Sequence, residues 1–139
     1  MAEEFITHSA EETIAWGREF GSRLKPPVLI LLSGDLGSGK TTLTKGIVGA
    51  LGAAREEDVT SPTFTLLHSY GEKQQVFHAD LYRIENFNDF ETLGMEDLFV
   101  KPGILILEWS ERFPLRSPWP EIRIRLEHLG GDARRISVL

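Results

Sequence analysis

Two runs of branched apolar residues, Val28-Leu29-Ile30-Leu31-Leu32 and Ile104-Leu105-Ile106-Leu107, interrupt a chain whose other apolar residues alternate or recur at helical spacing. Both runs predict strands, and the second reads as a central strand covered on both faces. Period two returns over residues 121–126, where Ile122, Ile124 and Leu126 alternate with Arg123 and Arg125, the pattern of a half-buried strand. Gly130-Gly131-Asp132 turns that segment into a last strand over residues 134–138. Residues 65–70 and 75–83 read as two further strands joined by a hairpin turn at Gly71-Glu72-Lys73.

Helical spacing governs the stretches between. Ser9-Ala10-Glu11-Glu12 has the form of a capping box, and Ala10, Thr13, Ile14, Gly17, Phe20, Gly21 and Leu24 then recur along one face, which predicts a helix over residues 10–23. Gly17 and Gly21 on that stripe each cost about 1 kcal/mol relative to alanine, so they predict close approach to a neighbouring backbone. Lys25-Pro26-Pro27 ends the helix. A second helix opens at about Lys40 and stops at Leu51-Gly52, and residues 86–93 and 95–99 form short helical stretches divided by Gly94. The sum is α/β: a mixed, mostly parallel central sheet with antiparallel additions and few helices, in a single domain over residues 1–139.

Between the first apolar strand and the second helix lies Gly34-Asp35-Leu36-Gly37-Ser38-Gly39-Lys40-Thr41, which fits the phosphate-loop pattern G-x-x-x-x-G-K-[ST] in full. A loop that wraps polyphosphate turns its backbone N–H groups inward, and glycine permits that curvature without a Cβ clash. Asp35, Leu36, Gly37, Ser38, Gly39, Lys40, Thr41 and Thr42 are therefore the expected nucleotide-binding residues. Lys40 supplies a point charge at a surface loop that buries little, the helix start offers unpaired N–H groups, and the Thr41 hydroxyl suits Mg²⁺.

Such a loop needs a carboxylate at the end of a neighbouring strand. Glu108 follows the second apolar run, so its carboxylate emerges at the carboxyl end of a central strand, where α/β sheets gather ligands. It is the expected metal carboxylate, with a rim ion pair as the competing role. Asp80 either orients the attacking water, supports the metal shell or caps a turn. His78 precedes it by two residues, so an extended strand points both to one face, although a strand histidine also serves as a packing residue. Val59-Thr60-Ser61-Pro62-Thr63-Phe64 reads either as a rigid segment sensing the terminal phosphate and metal or as an ordinary proline turn. Tyr82 and Trp109 read as packing or interface residues, with contact to the nucleotide as the other role, and the other histidines show no zinc-ligand spacing.

Composition narrows the classes. With 139 residues there is room for one body and none for an independent substrate domain. No cysteine is present, which excludes disulfides and thiol chemistry, and no apolar run reaches membrane-spanning length; a cytoplasmic protein without a membrane role is expected. The net charge of −6 opposes unaided binding to a polyphosphate backbone. Residues 112–139 nevertheless carry six arginines against three acidic residues. Those arginines mark a solvated strand face, a contact with nucleotide phosphates or an acidic partner surface.

Assembled, these residues make the chain similar to the TsaE family, the small ATPase of bacterial tRNA threonylcarbamoyladenosine synthesis. The resemblance is carried by residues 34–43, Ser61-Pro62-Thr63-Phe64, His78-Ala79-Asp80-Leu81-Tyr82-Arg83, Leu93-Gly94 and Ile106-Leu107-Glu108-Trp109. It implies a P-loop NTPase fold and the ligands ATP and Mg²⁺. It further implies Thr41 and Glu108 as metal ligands, Lys40 with the loop amides on phosphate, residues 61–64 as a switch-like segment, and Asp80, with Lys40 and Thr41, in catalysis. The implied partners are TsaD-like and TsaB-like proteins that modify adenosine 37 of tRNA, so tRNA is reached only through the complex and hydrolysis, weak alone, permits repeated turnover. Two other classes compete: a small-molecule kinase, which needs a lid and an acceptor pocket, and a non-hydrolysing nucleotide-gated module, which lacks a working carboxylate.

Overall fold

The structure, a computed structural model, describes residues 3–35, 37–60, 67–71, 76–81, 84, 86–92, 94–108 and 117–139. Its elements are β1 (Glu3–Thr7), α1 (Ala10–Ser22), β2 (Val28–Ser33), α2 (Lys40–Ala50), β3 (Leu67–Tyr70), β4 (Val76–Asp80), α3 (Phe87–Thr92), β5 (Ile104–Glu108), β6 (Glu121–Gly130) and β7 (Ala133–Val138). Short 3₁₀ segments occupy Glu56–Asp58 and Met95–Val100.

All seven strands form one sheet in the order β1-β7-β6-β2-β5-β4-β3. The four inner strands β6, β2, β5 and β4 run parallel, while β3 pairs antiparallel with β4 on one side and, on the other, β7 pairs antiparallel with β6 and β1 with β7. This is the mixed α/β sheet that the apolar runs predict. Every residue of β5 is buried, as a strand covered on both faces requires. On one face Val28, Ile30, Leu32, Ile104 and Ile106 pack under α1 and α2 with Leu43 and Ile47. On the other, Leu29, Leu31, Leu105 and Leu107 meet Met95 and Trp119, whose ring stands edge-on to Phe99 at 4.8 Å.

The two glycines on the α1 stripe do what their position predicts. A Cβ on Gly17 would lie 2.6 Å from the Leu43 carbonyl oxygen, and one on Gly21 would lie 2.8 Å from that of Ile47. Gly46 of α2 completes the contact from the other side, where a Cβ would run into the Ile14 carbonyl oxygen. The helix backbones therefore touch, which seats α2 tightly against α1. Ser9 caps α1 by accepting from the Glu12 N–H at 3.1 Å, half of the capping box read from the sequence.

One element goes unpredicted by the sequence pattern. Glu3-Glu4-Phe5-Ile6-Thr7 does not alternate, and four of its five residues are exposed, yet it forms the edge strand β1 because β7 supplies a continuous antiparallel ladder from Glu3↔Val138 to Thr7↔Arg134. Among the described residues no helix is long and apolar enough to cross a membrane. The expected hairpin turn beyond Gly71 and the switch-like Ser61–Phe64 segment lie outside the described residues.

Candidate functional site

β2 delivers the chain to the glycine loop and α2 carries it away. Gly34, Gly37 and Gly39 have φ of 145°, 81° and 104°, the left-handed region where a side chain is strained. At Gly34 space is also closed, since a Cβ would run into the Leu126 carbonyl oxygen of β6. Ser38 is buried, and its N–H donates to the Asp35 carbonyl at 3.0 Å to close the turn. Asp35 and Gly37 are exposed, and Leu36 lies outside the described residues.

Lys40 corrects one expectation. It is only 5% exposed rather than a solvated charge, and its Nζ donates to the carbonyl oxygens of Gly34 at 2.7 Å and Asp35 at 3.0 Å and to Ser38 Oγ at 3.4 Å. A buried ammonium needs such partners. The loop thus folds around its lysine, which is why the residue is buried in spite of its position at a turn. The start of α2 is open by comparison with α1: Gly39 is its N-cap, no side chain caps it and no acidic residue stands in its first turn. Its positive end and the Lys40 charge therefore add at one point.

The carboxylates arrive from the neighbouring strands. Register pairs Leu32 with Glu108 and Asp80 with Glu108, so β2, β5 and β4 end at one level and the loop begins just beyond. Glu108 is 2% exposed and hydrogen-bonds through Oε2 to Nε2 of the wholly buried His78. Asp80 is half-buried on the adjacent strand. Thr41 and Thr42 stand half-buried in the first turn of α2. Among the described residues no three of His, Asp and Glu converge on one point.

Two features were not assigned from the sequence. The first is the His78–Glu108 pair, for which the shared face of His78 and Asp80 was the available signal. Around it, β3 sets His68 directly opposite His78, and His68 Nδ1 and the Tyr70 hydroxyl lie 3.1 Å apart in a hydrogen bond. Burial, then the nearby His78, lowers the His68 pKa; burial raises that of Tyr70, and the Glu108 charge adds to it. The main chain of Thr60 hydrogen-bonds to both, which ties β3 to the residue before the Ser61–Phe64 segment.

Arg134 is the second. Its Nη1 donates to Gly131 and Ala133 carbonyls at 3.0 Å each, and its Nη2 to the Gly37 carbonyl at 3.3 Å. With Asp132, Ala10, Thr13, Gly39 and Thr42 it lines a cleft beside the start of α2. The other described arginines of the basic tail match the solvated-face reading, since Arg123 pairs with Glu121, and Arg125 and Arg135 with Glu127.

The arrangement defines a class: an α/β protein whose glycine loop joins the central strand of a mostly parallel sheet to a tightly seated helix, with a carboxylate at the adjacent strand end. The model of threonylcarbamoyl adenosine biosynthesis protein TsaE matches residues 7–136, and the chain belongs to that family. The TsaE protein of Treponema pallidum is 35% identical over 133 residues, spanning 96% of this chain and 97% of the relative. That of Bacillus subtilis is 36% identical over 132 residues, 94% of this chain and 81% of the relative. The crystal structure of Bacillus subtilis YdiB superposes with a TM-score of 0.73 at 29% identity, covering 99% of this chain and 84% of that one.

Proposed function

We propose that the chain is a Mg²⁺-dependent ATPase with a P-loop NTPase fold that supports repeated turnover of tRNA N6-threonylcarbamoyladenosine synthesis. It acts with TsaD-like and TsaB-like proteins and reaches tRNA only through them. The relatives are named as proteins of tRNA threonylcarbamoyladenosine biosynthesis, which supports the pathway. The observation that carries the chemistry is the meeting of three features at the carboxyl end of the parallel strands: the loop folded around Lys40, the uncapped start of α2 and the Glu108 carboxylate.

The donor set fits the ligands. Mg²⁺ is held by one or two carboxylates with substrate phosphate oxygens and water rather than by an all-protein cage. Thr41, in the first turn of α2, and Glu108, at the end of β5, both offer oxygen donors of that kind. Bound Mg²⁺ supplies charge neutralisation at the terminal phosphates. Lys40 exchanges its loop carbonyls for phosphate oxygens, and the amides of residues 37–42 donate to them. Glu108 and Thr41 hold the metal. Asp80, one strand over, orients the attacking water, and the Ser61–Phe64 segment reports the state of the site to the partners.

Calorimetry with a non-hydrolysable ATP analogue tests this reading, together with phosphate release and a thermal melt. Wild type binds the analogue with Mg²⁺ and, given ATP, releases phosphate slowly. Lys40→Ala loses a buried charge partner, a change of roughly 2–5 kcal/mol, so affinity falls by at least about 30-fold. Unchanged affinity in a folded variant contradicts the assignment.

A further inference from the structure

We propose that His78 is a positioning residue that fixes the orientation of the Glu108 carboxylate. The inference rests on the metal role proposed for Glu108 and extends it to a buried imidazole that the proposed chemistry does not use. His78 and Glu108 lie on neighbouring parallel strands, 30 residues apart in the chain, and meet through Nε2 and Oε2. Both are almost completely withdrawn from water.

The geometry selects one tautomer. An ionised carboxylate only accepts hydrogen bonds, so the Nε2 that faces Glu108 carries a hydrogen, and in the neutral ring Nδ1 is then an acceptor. Nδ1 is buried and has no hydrogen-bond partner among the described residues. An unfilled acceptor is tolerated better than a buried N–H without a partner. The opposite tautomer would bury such an N–H and set the Nε2 lone pair against the carboxylate oxygen.

The contact also has a mechanical consequence. The terminal torsion of glutamate is broad and roughly two-fold, so nothing intrinsic to Glu108 fixes the plane of its carboxylate. His78 holds Oε2 and so fixes the plane in which Oε1 lies. The imidazole is itself held, because β4 lies between β5 and β3 and His68 stands directly opposite. Partners of this kind set ligand orientation, and their loss weakens metal binding by about 10–100-fold.

The test is the factor by which Mg²⁺ tightens binding of a non-hydrolysable ATP analogue, measured by calorimetry in wild type, His78→Leu, His78→Gln and Glu108→Gln. Leucine keeps bulk and removes the donor; glutamine restores an N–H near the place of Nε2. The Mg²⁺ factor collapses in Glu108→Gln, falls by about 10-fold or more in His78→Leu and returns to within about 3-fold of wild type in His78→Gln. Affinity without Mg²⁺ stays within about 2-fold of wild type in the two His78 variants. A wild-type protein with no Mg²⁺ factor overturns the metal reading and this inference together. A factor that Glu108→Gln loses and His78→Leu keeps overturns the inference alone, as does equal loss in the leucine and glutamine variants. If His78→Leu does not fold, ¹⁵N NMR of the wild-type imidazole decides: an Nε2–H tautomer supports the proposal and an Nδ1–H tautomer overturns it.

Discussion

Arg134 Nη2 donates to the Gly37 carbonyl oxygen at 3.3 Å, joining residues 97 positions apart and fastening the last hairpin to the glycine loop. The same guanidinium holds the Gly131 and Ala133 carbonyls, so the loop is braced by the turn between β6 and β7. Removing the brace lets the loop sample arrangements that do not bind nucleotide, and apparent affinity falls with the competent fraction. Arg134→Ala is therefore expected to weaken ATP-analogue binding about 5-fold, the loss of roughly 1 kcal/mol for one exposed hydrogen bond. Arg135→Ala, which removes only a pair with Glu127, leaves affinity unchanged. Equal effects of the two substitutions would dissolve the distinction.

The contact between α1 and α2 sets two effects of opposite sign against each other. Gly17→Ala gains about 1 kcal/mol of helix propensity. The new methyl, however, would lie 2.6 Å from a carbonyl oxygen that belongs to the backbone of a seated helix and cannot swing aside. Overpacking of this kind costs about 1–3 kcal/mol or more. The clash wins, and urea unfolding is expected to show a net loss of stability. A more stable Gly17→Ala protein would mean that the helices stand further apart.

His68 gives a pH dependence whose sign is fixed. Burial, with His78 nearby, lowers its pKa from 6.5, so the folded protein keeps the neutral imidazole where the unfolded chain takes up a proton. Stability from this group is complete above the unfolded value and is lost as pH falls below about 6.5, until the folded pKa is passed. Melting temperature should fall with pH across that window more steeply in wild type than in His68→Asn. Parallel curves would remove His68 from the account.

How much of this was legible depended on range. The glycine loop, β2, β5 and the α1 stripe are local patterns, and period and spacing alone predicted them. Gly17 and Gly21 even announced the close helix contact, because glycine in a helix asks for a reason. The edge strand β1 was not legible: its pairing is supplied by β7, at the other end of the sequence. The burial of Lys40 was missed for a similar reason, since only the closed turn shows that carbonyls surround its Nζ. Arg134 alternates with Ile136 and Val138, the face that lies toward α1 and α2, so its direction was readable while its partner Gly37 was not. Leu36, Tyr82, Arg83, Leu93 and Trp109 lie outside the described residues, as does the Ser61–Phe64 segment.

Hydrolysis at this site, as proposed, sustains repeated turnover of a tRNA-modifying complex, and a substitution at Asp80 is expected to separate binding from hydrolysis. Asp80 ends β4 in register with Glu108, and in the proposed function it serves the reacting water while the loop and Lys40 carry the contacts to phosphate. ATP can favour one docked arrangement of the chain with TsaD-like and TsaB-like proteins only through differential affinity for the two states, and hydrolysis then releases it. The decisive measurement is threonylcarbamoyladenosine formed per complex under single-turnover and multiple-turnover conditions, with wild type and Asp80→Ala. The account predicts ATP-dependent docking and a full single turnover for both proteins, and continued turnover for wild type only. Full multiple turnover with Asp80→Ala, or a wild-type chain that docks in no nucleotide state, would contradict it.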